Sequence, residues 1–222
     1  MSKLIELYRY AHDILERIRV ADGIAPLLLR LYLAPVFIQA GYNKLAHFES
    51  TAAWFGNPDW GLGLPMPEVM AALAAGTEFF GGILLIAGLA VRWISIPLMV
   101  TMLVAALTVH WENGWLAIAD ASSWLANDRV LESVERLERG REILQENGNY
   151  DWLTGRGSFV ILNNGIEFAA TYFVMLLSLF FTGAGRYFSV DYWLAKATGH
   201  LEGCVEPRDK NHNLIRLLQR LD

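Results

Sequence analysis

Four ionisable side chains fall inside long apolar runs of the sequence: Arg30, Glu78, His110 and Glu167. Placing such a group in hydrocarbon costs about 2.5–3.5 kcal/mol on insertion scales, so it normally faces other helices and pairs with a second group or a ligand. Glu78 lies near the middle of its run, where a carboxylate must be either protonated or compensated. Arg30 is the cation on a span that would compensate it from below. An Arg30–Glu78 bridge reads equally well as a structural tie between two helices and as a reactive pair. His110 and Glu167 would together make a proton relay or two ligands of a metal site. Two such ligands without supporting spacing do not specify a metal, and none is expected. Lys44, Asn43 and Gln39 add polar groups at the far end of the first run. Lys44 and His110, each taken alone, also read as side chains snorkelling to headgroups.

These residues need apolar elements to position them, and the composition supplies them. Of 222 residues 54% are hydrophobic, and the mean hydropathy is +0.30, which is too apolar for an ordinary soluble chain of this length. A net charge of −5 with dispersed basic residues leaves no nucleic-acid footprint. The one cysteine, Cys204, excludes an intramolecular disulfide and a Cys-rich zinc site.

A hydrocarbon layer of about 30 Å needs about 20 helical residues, and four segments meet that length: 24–46, 68–90, 93–111 and 163–182. Pro65 and Pro67 precede the second, Val91-Arg92 turns directly into the third, and Gly183-Ala184-Gly185 ends the fourth. The second and third therefore form an antiparallel hairpin. The first run is span-length and lacks a small-residue cleavage site, so it reads as an anchor rather than a cleaved leader. Ahead of it, residues 1–23 repeat apolar positions at helical spacing among Lys3, Arg9, Arg17 and Arg19, as an amphipathic helix would.

An even number of spans places both termini on one side. Seven basic residues near span ends there, from Lys3 to Lys196, face two on the other side, Lys44 and Arg156, so the termini are expected in the cytoplasm. At about 1.5 Å per residue, Arg30 then lies about 9 Å from the cytoplasmic end and Glu78 near the midplane, with Lys44, His110 and Glu167 near the outer face. A polar pocket opening outward follows. The segment 112–162 repeats apolar residues at helical spacing between Glu and Arg, and Trp115, Trp124 and Trp152 would let it rest on the bilayer or the bundle. The expectation is an all-α, polytopic membrane four-helix bundle over 24–192 with a helical extracytoplasmic insertion at 112–162 and a cytoplasmic tail at 193–222.

Three stretches resemble the DoxX family of bacterial membrane proteins: Arg30 with Gly41-Tyr42-Asn43-Lys44, Glu78-Phe79-Phe80-Gly81-Gly82 through Gly88, and Gly183-Ala184-Gly185-Arg186-Tyr187-Phe188-Ser189-Val190-Asp191. The last run is similar to the family's glycine-rich exit signature, in which Asp191 would cap or pair at the cytoplasmic surface. The resemblance covers about residues 26–192, interrupted by the insertion. It implies a bundle in the bacterial cytoplasmic (inner) membrane associated with redox metabolism, since some relatives are subunits of quinone-linked oxidoreductases and others join membrane oxidoreductase complexes. The resemblance leaves the cofactor open, with a quinone as one candidate and copper as another. Arg30, Glu78, His110 and Glu167 would surround a quinone headgroup or relay protons, and Lys44, Asn43 and Gln39 would bind it.

The insertion, with Trp54-Phe55-Gly56-Asn57-Pro58 in the first loop, departs from the family pattern and looks like a branch found beside genes for copper-binding modified peptides. The alternative function is therefore a non-enzymatic accessory protein for maturing or handling such a peptide, or a partner protein, at the outer face. Copper itself finds no Met/Cys/His array. A transporter is disfavoured because no inverted repeat or paired broken helices occur. The bilayer is the expected partner, and self-association is compatible with the pattern.

Overall fold

A computed structural model describes residues 5, 7–10, 12 and 21–199. Most of the expected amphipathic segment 1–23, and the tail from residue 200 with Cys204, lie outside the described residues. The rest is helical, apart from turns and one isolated antiparallel bridge between Ile118 and Leu162. We number the helices α1 (Ile24–Ala46), α2 (Phe48–Gly56), α3 (Pro67–Ala87), α4 (Val91–Ala105), α5 (Asp128–Asn147), α6 (Tyr150–Thr154), α7 (Glu167–Thr182) and α8 (Val190–Ala197). α4 runs on through a π turn, Ala106–His110, and a 3-10 turn, Trp111–Asn113.

α1, α3 and α4 with its extension to Asn113 are each long and apolar enough to cross a membrane. α7 is apolar but has 16 residues, about 24 Å of helix. The expected fourth span began at residue 163, and the difference has a local cause. Asn163 and Asn164 donate backbone N–H groups to the Ala117 carbonyl, Gly165 to Leu116 and Ile166 to Gly114. Asn164 adopts a left-handed φ of 59° to do so. Pairing with the 114–117 segment takes these residues out of the helix.

α1, α3, α4 and α7 pack side by side around Leu33, Phe37, Leu85, Leu98, Leu176 and Leu179, all buried. These residues fill the half of the bundle near the start of α1, here called the terminal end. At the opposite, insertion end, Ala52 and Phe55 seat α2 on Ala71 of α3. α1 and α3 touch through backbone. A Cβ at Gly41 would fall 2.4 Å from the Phe79 nitrogen and 2.8 Å from the Ala75 oxygen, so only glycine permits that approach. α5 covers the amphipathic stretch of the insertion; Asn127 caps its start by accepting from the Val130 N–H at 3.0 Å.

Candidate functional site

Along α1 the buried residues Arg30, Leu33, Ala34, Phe37 and Gly41 recur at three- and four-residue spacing and point at the bundle. Lys44 continues that row by one step. The Gly41 contact sets α1 and α3 in an antiparallel register that places Glu78 about level with residue 40. Helical side chains lean toward their own N-terminus, so Lys44 reaches back to that level and its Nζ donates to Glu78 Oε2. The Glu78 side chain is 6% exposed and that of Lys44 28%. The carboxylate thus sits between the two apolar clusters, closed in, with the ammonium on its open side.

Arg30 is placed elsewhere, about ten residues or 15 Å from Glu78 along the bundle. It is fully buried. Its Nη1 donates to the Leu85 carbonyl at 3.1 Å and its Nη2 to the Phe188 carbonyl at 2.8 Å. A cation here offsets the negative end of α3 and satisfies carbonyls that a helix terminus leaves open. Asp191 does the converse for α4: its carboxylate accepts from the N–H groups of Ala90 at 2.7 Å and Val91 at 3.0 Å. Gly88 lies between these groups with φ +66°, and a Cβ there would come 2.1 Å from Arg30 Nη1. The expected Arg30–Glu78 bridge is therefore replaced by two separate arrangements, a Lys44–Glu78 pair and, at the α3–α4 turn, a clasp of Arg30 on the Leu85 and Phe188 carbonyls beside the Asp191 cap.

At the insertion end His110 and Glu167 are likewise tied to backbone. His110 Nδ1 donates to the Asn164 carbonyl at 2.8 Å, and Glu167 Oε2 accepts from the Ala117 N–H at 2.9 Å. Both hold the start of α7 against the 110–117 segment, and neither contacts Glu78. Asn163, buried, completes the staple: its Nδ2 donates to the carbonyls of Asn113 at 2.8 Å and Leu116 at 2.7 Å, and its Oδ1 accepts from Arg129 Nε at 3.3 Å. Among the described residues no three His, Cys, Asp or Glu groups come together as a metal would need. Gln39 and Asn43 are exposed on the far side of α1 and do not join Lys44. The Asn163-Asn164-Gly165 turn signal is present in the sequence but borders the apolar run of the fourth expected span.

Two clefts open at the insertion end. One, of about 420 Å³, is lined by Glu112, Asn113, Arg129, Glu132, Ser133 and Arg136. The other, of about 590 Å³, lies between α2 and the start of α3. Neither includes Lys44 or Glu78.

A bundle of span-length apolar helices holding a buried ion pair defines an integral membrane protein. The DoxX family model matches residues 25–111, which run from the second residue of α1 past the end of α4 and include Arg30, Lys44, Glu78 and His110. The Bacillus subtilis (strain 168) protein named "Putative oxidoreductase CatD" is 33% identical over 97 residues, 44% of this chain and 68% of that relative. The chain belongs to the DoxX family. The insertion, α7 and Asp191 lie beyond the matched stretch. No solved structure matches the chain.

Proposed function

We propose that the protein is a redox-associated subunit of the bacterial cytoplasmic membrane, with α7 as a fourth span, both termini cytoplasmic, and Lys44–Glu78 as its intramembrane polar site. The observation that carries this reading is the ion pair itself: a carboxylate closed off inside a span, partnered by an ammonium that remains partly open. Burying two charges in hydrocarbon is costly, and an apolar pair would hold α1 and α3 together at least as well, so the pair is better explained by use than by stability. The relative named "Putative oxidoreductase CatD" points in the same direction.

The donor set fits a quinone headgroup through Lys44, whose ammonium can donate to a quinone carbonyl oxygen. Glu78 Oε2 holds that ammonium in place and is the atom that exchanges a proton with it. A quinone, when bound, takes up electrons and protons, the electrons coming from a partner oxidoreductase. Arg30, His110 and Glu167 position the helices around the pair, through the backbone contacts described above. The accessory reading, in which the outward face handles a copper-binding modified peptide or another partner, draws support from the folded insertion and its exposed Trp124 and Trp152.

Purification in mild detergent, extraction of bound small molecules and native mass spectrometry, before and after Glu78→Gln, tests the choice. A stoichiometric quinone that is lost from Glu78→Gln while the protein stays folded is the expected result. A chain carrying only annular lipid in both forms would overturn the redox reading in favour of the accessory one.

A further inference from the structure

Gln39 and Asn43 are amides one turn apart on a helix long and apolar enough to cross the bilayer, and both face away from the bundle. They share this side of α1 with the exposed Tyr32 and Pro35. Neither amide side chain has a hydrogen-bond partner among the described residues. Pro35 has no N–H, so the Leu31 carbonyl on the same side also lacks its usual helical donor. Gln39 sits about 10 Å from the end of a helix about 34 Å long, and hence inside a hydrocarbon layer of about 30 Å. Lipid tails can neither donate nor accept. Thr108 and Thr171 close their hydroxyls on the carbonyls of Val104 and Glu167; the two amides do not.

We propose that this face of α1 is the contact between two copies of the chain, related by a twofold axis along the membrane normal. An amide donates and accepts at once, so Gln39 and Asn43 are complementary to themselves. Copies inserted in the same orientation bring α1 against α1 in parallel, and residues near the axis then meet their own counterparts. The Gln39 amide donates to the counterpart's Oε1 and accepts from its Nε2, and Asn43 does the same one turn further on. A helix of another protein would need matching amides at both levels, whereas a second copy has them by identity. Such interhelical amide bonds are an established means of association in lipid. The contact is independent of the redox reading, because Lys44 and Glu78 lie on the opposite side of α1.

Disulfide trapping in native membranes tests this. Cys204 is the chain's one cysteine, so Cys204→Ser provides a clean parent for Gln39→Cys, with Phe80→Cys on α3 and Val174→Cys on α7 as exposed controls. The proposal expects Gln39→Cys to form a chain dimer at least ten times faster than either control. Native mass spectrometry of the parent should show two chains. The double variant Gln39→Leu with Asn43→Leu, more apolar and so still inserted, should dissociate at roughly tenfold higher protein concentration or more. Equal trapping at all three positions, a Gln39→Cys adduct to a different protein, or an unchanged dimer in the double variant would each overturn the proposal.

Discussion

Lys44 reaches back along α1 to bond the Glu78 carboxylate of α3, so the charge compensating the buried acid comes from the insertion end of the bundle rather than from Arg30 below. Removing one member of a buried pair strands the other, whereas removing both does not. Lys44→Met should therefore lower stability by about 2–4 kcal/mol, toward the low side because the ammonium is partly exposed. Lys44→Met with Glu78→Gln should recover most of that loss. Thermal unfolding of the four forms in one detergent gives the coupling. A double variant whose loss equals the sum of the two single losses would show that the pair contributes no mutual energy.

The Arg30 clasp makes a different prediction, because its partners are carbonyls rather than an acid. Gly88→Ala adds a Cβ 2.1 Å from Arg30 Nη1 at a φ of +66°. Strain at such a position costs about 1–3 kcal/mol before the displaced guanidinium is counted. We expect a clear fall in melting temperature for Gly88→Ala and almost none for Gly76→Ala, where a Cβ meets nothing within 4 Å. Comparable losses at both positions would mean that the helices respond to glycine replacement generally and not to Arg30.

Asp191 caps α4 from across the chain, accepting the N–H of Val91, its first residue, and of Ala90 just before it. Loss of a helix cap costs about 0.5–2 kcal/mol, so Asp191→Ala should destabilise by that order, and Asp191→Asn by less because an amide oxygen still accepts. The difference between the two variants, read from chemical unfolding, separates capping from charge. If Asn proves as damaging as Ala, attraction between the carboxylate and Arg30 is the larger effect.

The runs that became α1, α3 and α4 were legible because hydropathy and length depend on each residue's own transfer energy, and α5 because Leu131, Val134 and Leu137 repeat at helical period. Helix register was not legible. Comparing Cα heights along separate spans left Arg30 below Glu78 as the cation to compensate it, but backbone contact at Gly41 fixes the offset, and Lys44 gains a further turn of reach through its side-chain direction. A hydropathy reading has no access to either quantity. The start of α7 failed for a related reason. Asn163, Asn164 and Gly165 carry a turn signal, yet they border an apolar run, and only their pairing with 114–117 decides which tendency wins. Asp191 was readable as a capping or pairing residue only through the family resemblance; Ser189 caps the helix beside it, and that Asp191 caps α4 instead depends on packing between segments about 100 residues apart.

Asn163 offers the sharpest separation of insertion from bundle. It is buried, and its side chain bonds two carbonyls and Arg129. In Asn163→Ala those carbonyls lose their donors, a cost of about 1–3 kcal/mol, and the damage falls on segments 112–119 and 161–166 rather than on the apolar core near Leu33 and Leu176. Amide exchange should therefore quicken across both segments, and limited proteolysis should begin between residues 120 and 160, while protection within α1, α3 and α4 stays at its original level. That pattern follows from a rigid bundle carrying an insertion held at its base. If protection falls in α1 and α3 as well, the insertion and the bundle fold as one cooperative unit, and the staple at Asn163 supports the Lys44–Glu78 site directly.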